Sequence, residues 1–289
     1  MVWGFSVAMS ASFCRVGVLT LVVLLSGSCS LLVDADRQQC TVHVECQTDP
    51  ANADAVCVEG VCQPNPTWAC LTTGVSLPPV EPKPARIVMQ LRDLVTEQPL
   101  GGATARICRK LDYECTQPLA SNLVGDASGN LTVDTMVGFD GYVEVKASGR
   151  MPGIYFFYPP VSGDRDIPNV PLIREMDLQQ FAMLAGRPIN VMRGHVMLGA
   201  YDCLGRPAEG VSLWSEDGDN QTTPFYSVKK LPSTTATGTD SSGRGGIINI
   251  KTGSITVTGR IPDGRIVGTV GLFIRPNSIT YTSLFPAPR

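Results

Sequence analysis

The 289-residue chain contains only two histidines, His43 and His195. That leaves little for imidazole-based catalysis. Charged residues make up 17% of the chain, below the ~25% of average soluble proteins. The net charge is −3 and no basic stretch stands out. Nothing here can hold a phosphate backbone or form a charged disordered tail, so nucleic-acid partners are excluded. Gly-x-Ser-x-Gly, His-Glu-x-x-His and a phosphate-cradling glycine loop are all missing. No apolar run reaches the ~20 residues that a membrane-spanning helix needs. The sequence calls for no cofactor and no metal. What it does hold is 29 Gly, 22 Pro and ten Cys, the make-up of an exported, loop-rich β protein.

Residues 1–28 carry one charge, Arg15, followed by the apolar run Val16–Leu25. This length matches the h-region of a signal peptide. Ser26-Gly27-Ser28 and then Cys29 follow. The stretch resembles a bacterial lipoprotein signal, in which small residues precede a cysteine that becomes the lipidated N-terminus. It departs from that pattern in having Ser26 three before the cysteine, with Leu25 one step further back. Cleavage by ordinary signal peptidase is the alternative. Met9 is a second candidate start, giving a more ordinary n-region. By the same resemblance, Ser30 favours the outer membrane, so the expected partner of the N-terminus is a membrane reached through its lipid.

With Cys14 and Cys29 set aside, Cys40, Cys46, Cys57, Cys62, Cys70, Cys108, Cys115 and Cys203 remain. An even number in an exported chain reads as a disulfide framework. Five of them lie within residues 40–70, too short a segment to bury a core of its own. Zinc is the rival reading, but no Cys-x-x-Cys pair occurs. Of the three ways to pair the first four, the interleaved Cys40–Cys57 and Cys46–Cys62 is preferred. Cys108 and Cys115 enclose a short loop and pair with each other, and Cys70 with Cys203 follows by elimination.

Domains read as follows: signal 1–28, tether 29–39, Cys-rich module 40–75 and Pro-rich spacer 76–85, with four prolines in ten residues. Short alternating runs then begin at Arg86, as in half-buried antiparallel strands. Examples are Ile87–Arg92, Asn130–Val133 and Tyr142–Val145, separated by turns such as Gly101-Gly102 and Asp140-Gly141. A first β-sandwich is assigned to 86–173, a linker helix to 174–188 and a second sandwich to 189–289. Leu178, Phe181, Ala182 and Ala185 recur at helical spacing, and Gly186-Arg187-Pro188 ends the helix. The two β series share an internal repeat. Pro99–Ala103 parallels Pro207–Val211 at an offset of 108, and Asp126–Gly129 parallels Asp240–Gly243 at 114.

A strand ending in Asp, then Pro-x-x-Gly-[Ala/Val], then Asp-x-x-Gly before another strand, resembles the carboxypeptidase regulatory-like domain, a transthyretin-like sandwich. The whole chain is similar to Gram-negative surface lipoproteins with a Cys-rich N-terminal knob. The resemblance implies an all-β fold of two transthyretin-like or immunoglobulin-like sandwiches, with a non-catalytic, accessory or adhesive role. It supplies no catalytic residue.

Candidate sites are few. Asp126, Ser128 and Asn130 open like a calcium loop, but its twelfth position is Val137 rather than Glu, so an Asx-type turn is expected. Tyr155-Phe156-Phe157-Tyr158 puts aromatics on both sides of a strand. One face must then lie outside the core: it either packs at an edge against the following helix or second domain, the preferred reading, or is open, which makes Tyr155 and Phe157 candidates to stack on a ligand. Trp214 and Tyr226 are the corresponding candidates in the second sandwich. Two function classes follow: a membrane-anchored surface lipoprotein that binds or scaffolds protein or glycan, or an accessory or catalytic component of carbohydrate or peptide turnover at the cell envelope. Two facing carboxylates with shifted pKa in a cleft would indicate the enzyme. A flat aromatic strip without them would indicate binding.

Overall fold

Alternation of apolar and polar residues gives nearly all of the secondary structure in the computed structural model, which describes residues 38–46, 55–63, 67–73, 81–184 and 186–286. The signal segment and Cys29 lie outside these residues. The Cys-rich module contributes α1 (His43–Cys46), β1 (Val56–Val58), β2 (Val61–Gln63) and α2 (Cys70–Thr73). The first β series is β3 (Pro84–Asp93), β4 (Thr104–Arg109), β5 (Ala120–Val124), β6 (Asn130–Met136), β7 (Gly141–Lys146), β8 (Gly153–Phe156) and β9 (Arg165–Leu172). The helix α3 (Glu175–Leu184) connects to the second series. That series is β10 (Gly194–Ala200), β11 (Ser212–Trp214), β12 (Thr223–Val228), β13 (Leu231–Ser233), β14 (Arg244–Ile250), β15 (Gly253–Arg260), β16 (Ile266–Ile274) and β17 (Ile279–Leu284). The protein is all-β, with two sandwiches. β3 starts inside the expected spacer, at Pro84.

The repeat is visible in the hydrogen bonds. In the first copy Leu91 N–H donates to Gly129 O, Leu100 N–H to Leu91 O and Gly102 N–H to Gly125 O, at 2.8–3.1 Å. In the second, Ala200 N–H donates to Gly243 O, Ala208 N–H to Ala200 O and Gly210 N–H to Thr239 O, at 2.7–2.9 Å. Each strand leads into an aspartate that caps the following turn, Asp93 at the end of β3 and Asp202 two residues after β10. Asp93 Oδ1 accepts from Val95 and Thr96 N–H, and Asp202 Oδ1 from Leu204 and Arg206 N–H. Gly129 and Gly243 have φ of +77° and +65°. A Cβ there would lie 2.6 Å from Leu91 O or 2.5 Å from Ala200 O, so both positions require glycine.

Equivalent strands take equivalent places. β6-β3-β9 forms one sheet of the first sandwich, with β9 parallel to β3. Its counterpart β14-β10-β17 has β17 parallel to β10. The partner sheets are β5-β4-β7-β8 and β11-β15-β16. The sandwiches are not separate, however. β17 also pairs in parallel with β8, which joins one sheet of each copy into a continuous sheet of nine strands, β13-β12-β14-β10-β17-β8-β7-β4-β5.

The two covering sheets lie on opposite faces of that central sheet, so β7 and β8 are buried on both sides. Val143, Val145 and Phe157 belong to the first core with Ile87, Met89 and Leu131. Tyr142, Ile154 and Phe156 belong to the second, with Val196, Val257 and Phe273. The sheet's outer edges are blunted: β13 has three residues including Pro232, and β5 pairs with β4 through an irregular register. β5, β9 and β13 were not anticipated. β9 carries Pro168 and Pro171, which mask a strand signal and are tolerated because it is an edge.

Two fastenings reinforce the junction. Cys70–Cys203 ties the N-terminal segment to the second sandwich, where Trp68 is buried. The second fastening centres on the buried Glu144 of β7. Its Oε2 accepts from Arg106 Nη2 at 2.6 Å and from Arg275 Nη1 of the other copy at 2.7 Å. Arg275 also donates to Tyr113 O and to the Tyr142 hydroxyl, and Phe273 packs edge-on against Tyr142 and Phe156. Burial alone would raise the Glu144 pKa, but the hydrogen bonds from Arg275 and Arg106 outweigh it and hold the carboxyl below its usual range. Glu144→Gln is expected to lower unfolding free energy by about 2–4 kcal/mol, because two guanidiniums lose their counter-charge. Urea denaturation checks this; a loss under about 0.5 kcal/mol, the level of an exposed pair, would show that the cluster does not fasten the copies.

Candidate functional site

All described cysteines are paired: Cys40–Cys57, Cys46–Cys62, Cys70–Cys203 and Cys108–Cys115. Cys40, Cys46 and Cys57 lie close enough together to suggest a metal site, but their sulfurs are in disulfides and so are not thiolate ligands. Asp126 forms the Asx turn expected of it, its Oδ1 accepting from Ser128 and Asn130 N–H at 2.9 and 2.8 Å. That commits one carboxylate oxygen to the backbone.

The four stacking candidates separate by burial. Phe157 is 2% exposed and Tyr226 3%. Tyr155 is half-buried against the first core, with its ring 5.5 Å from that of Phe157. Of the two readings of the 155–158 strand, packing holds and an open face does not, because β8 lies between two cores. Tyr226 is engaged too, its hydroxyl accepting from Leu213 N–H at 2.8 Å. Trp214 alone of the four is open, at 45% exposure, with the Arg260 guanidinium 5.3 Å from its ring centroid.

Trp214 lies on the outer face of β11-β15-β16, because its neighbour Leu213 points into the core. Register places Trp214 opposite Thr258 and Thr258 opposite Thr269, while the next outward row pairs Thr256 with Gly271. Beyond Trp214 strand β11 stops, and Asp217 Oδ2 takes over by accepting Thr256 N–H at 2.9 Å. At that end the loop closed by Cys108–Cys115 rises beside the sheet. A cleft of about 300 Å³ separates its Lys110, Leu111 and Tyr113 from Ser254, Thr256 and Gly271. Tyr113 is 44% exposed and rests on Phe273, ring centroids 5.3 Å apart. Sequence patterning offered no sign of Tyr113, whose place depends on contacts with residues some 160 positions away.

A second cleft, of about 450 Å³, lies between Arg187–Val191 and the loop at Asn220-Gln221, floored by Asn249. Its groups are engaged. Asn249 Oδ1 accepts Asn190 N–H, its Nδ2 donates to Pro188 O, and Asn190 Nδ2 donates to Gln221. Arg193 and Asp219 form a two-pronged ion pair at 2.8–2.9 Å that anchors this loop, and the hydrogen bond from Arg193 is the main reason the Asp219 carboxyl is held low. The carboxyls that shift all shift downwards, among them Asp93, Asp112, Asp126, Glu144, Asp219 and Asp240. A general acid needs the opposite.

No family model matches the chain, and no curated protein matches it. Among solved structures it is similar to the Bacillus anthracis TIE protein, with 11% identity over 71% of this chain and 34% of that one, and a TM-score of 0.26. It is also similar to BcpA, the major pilin subunit of Bacillus cereus (10% identity, 71% and 100% covered, TM-score 0.26). The shaft pilin spaA from Lactobacillus rhamnosus GG is another (12%, 72% and 98%, TM-score 0.24). The chain spans about a third of the TIE protein's length. Likenesses this faint say nothing about activity or partners.

His195 is 1% exposed on β10. Its Nδ1 accepts Asn249 N–H at 3.3 Å and its Nε2 is buried without a partner. Burial pushes its pKa down to about 4 from 6.5. The unfolded chain therefore binds the proton first, and stability is lost as pH falls from about 6.5 through 4, by up to roughly 3 kcal/mol. The melting temperature should be flat above pH 7 and fall towards pH 4.5, with a smaller fall in His195→Gln. Equal slopes in both proteins would contradict this assignment.

Proposed function

We propose that the chain is an exported lipoprotein, anchored through Cys29 to the outer membrane, that serves as a non-catalytic binding and scaffold module for protein or glycan. The observation that carries the reading is the outer face of β11-β15-β16, where the open Trp214 ring stands in one row with Thr258 and the exposed Thr269, whose hydroxyls pair with each other at 3.2 Å, and Thr256 lies in the next row. Among the described residues that face brings no two carboxylates together across the cleft beside it, where Asp217 is the one carboxylate. Four formed disulfides support an oxidising compartment. Among the described residues no helix is long and apolar enough to cross a membrane. The resemblance of the repeat to carboxypeptidase regulatory-like domains belongs to the same reading.

A nine-stranded sheet closed on both faces at its middle suits a rigid spacer that holds one face away from the membrane. Radioactive palmitate should label the wild-type protein in a Gram-negative host and not Cys29→Ala, which should be released from the membrane fraction. Labelling that persists in the variant, or is absent from both, would count against the anchor.

A further inference from the structure

The two copies use equivalent faces in different ways. In the first copy the outer face of β4-β7-β8 carries Arg106, Glu144 and Ile154 in one cross-strand row and Tyr142 with Phe156 in the next. The second copy covers it, through Phe273 on Tyr142 and Phe156 and through Arg275 on Glu144. The repeat and the ladder registers map these rows onto Trp214, Thr258 and Thr269, and onto Thr256 and Gly271. Ile154, Tyr142 and Phe156 thus become Thr269, Thr256 and Gly271. The groups that grip a neighbouring sandwich are gone, and hydroxyls or bare backbone stand in their place.

What remains is a shelf. A Cβ at Gly271 would meet nothing within 4 Å, so the floor is open, and Thr269 is exposed. The disulfide loop supplies an upright wall ending in Tyr113. Two of the charges at the rim are held by polar groups of the protein, and the third, Arg260, is exposed and rests on an aromatic ring. Lys110 Nζ pairs with Asp140 at 3.1 Å, Asp217 accepts the Thr256 N–H, and Arg260 lies against the Trp214 ring.

The geometry points to a neutral glycan as the occupant, with one pyranose ring laid against Trp214 beside Thr256 and Thr269 and the next units of the chain running past Ser254 below the Tyr113 wall. A sugar ring offers an apolar C–H face to an aromatic and a rim of donors and acceptors to hydroxyls, which is the pairing this shelf provides. The core of a protein interface is instead depleted in serine and enriched in aromatics, as the covered face of the first copy is. An acidic polysaccharide would need a cluster of cations, and of the two at this rim Lys110 is already paired with Asp140. This assignment rests on the non-catalytic binding role proposed above.

Affinity electrophoresis of the full-length protein in mild detergent tests it, through gels containing a mixed-linkage β-glucan, a xylan, an α-mannan or polygalacturonate. Retardation is expected in at least one neutral gel, weakened roughly tenfold or more by Trp214→Ala and by Gly271→Arg and unaltered by Met183→Ala. Gly271→Arg fills open space, so it keeps the test valid if Trp214→Ala fails to fold. The assignment is overturned by no retardation in any neutral gel, by retardation in polygalacturonate alone, or by equal retardation of wild type and both variants. Capture of a protein lost in both variants, with no glycan retained, also overturns it. Release of reducing sugar ends by the wild type would instead overturn the non-catalytic role, so the two failures are distinguishable.

Discussion

The parallel pairing of β17 with β8 is the interaction on which the rest of the molecule depends. An exposed edge strand is a liability, because its unpaired N–H and C=O groups invite other chains. Here the free edge of one copy's sheet meets the free edge of the other's, and each satisfies its neighbour. Burial of β7 and β8 on both faces follows from that junction. So does the placement of Glu144, which sits at a position that would face water in a lone sandwich. Its charge is tolerable only because guanidiniums from both copies reach it.

The same junction separates the fates of two faces with one ancestry. The outer face of β4-β7-β8 became an internal packing surface and kept its large apolar groups. The equivalent face of β11-β15-β16 has no sandwich upon it and carries threonine and glycine beside a single open tryptophan. A duplicated fold gains a site in this way without new architecture. One copy fastens and the other presents. The Cys108–Cys115 loop takes part in both, since Arg275 holds it by the Tyr113 carbonyl while the Tyr113 ring borders the cleft.

Local signals in the sequence were dependable wherever an interaction is short-range. The alternation of most strands, the 174–185 helical spacing, the Asx turn at Asp126 and the repeated Pro-x-x-Gly and Asp-x-x-Gly turns all correspond to observed elements. The interleaved disulfides also agree. Strands β5 and β9 were hidden by polar residues and by Pro168 and Pro171, features that edges tolerate. The junction itself left no mark, because a parallel pairing between strands 120 or so residues apart imposes no periodicity. For that reason the sequence left Tyr155 and Phe157 as either packed rings or stacking candidates, and only the structure shows both faces of their strand covered. Trp214 was legible as a candidate, but its shelf depends on register across three strands and on a loop from the other copy.

The central claim is that two sandwiches joined through one sheet behave as a single structural unit. Differential scanning calorimetry of the oxidised full-length protein tests it most directly. The account predicts one transition, with calorimetric and van't Hoff enthalpies in a ratio of about one. Two resolved transitions, one for each sandwich, would contradict it.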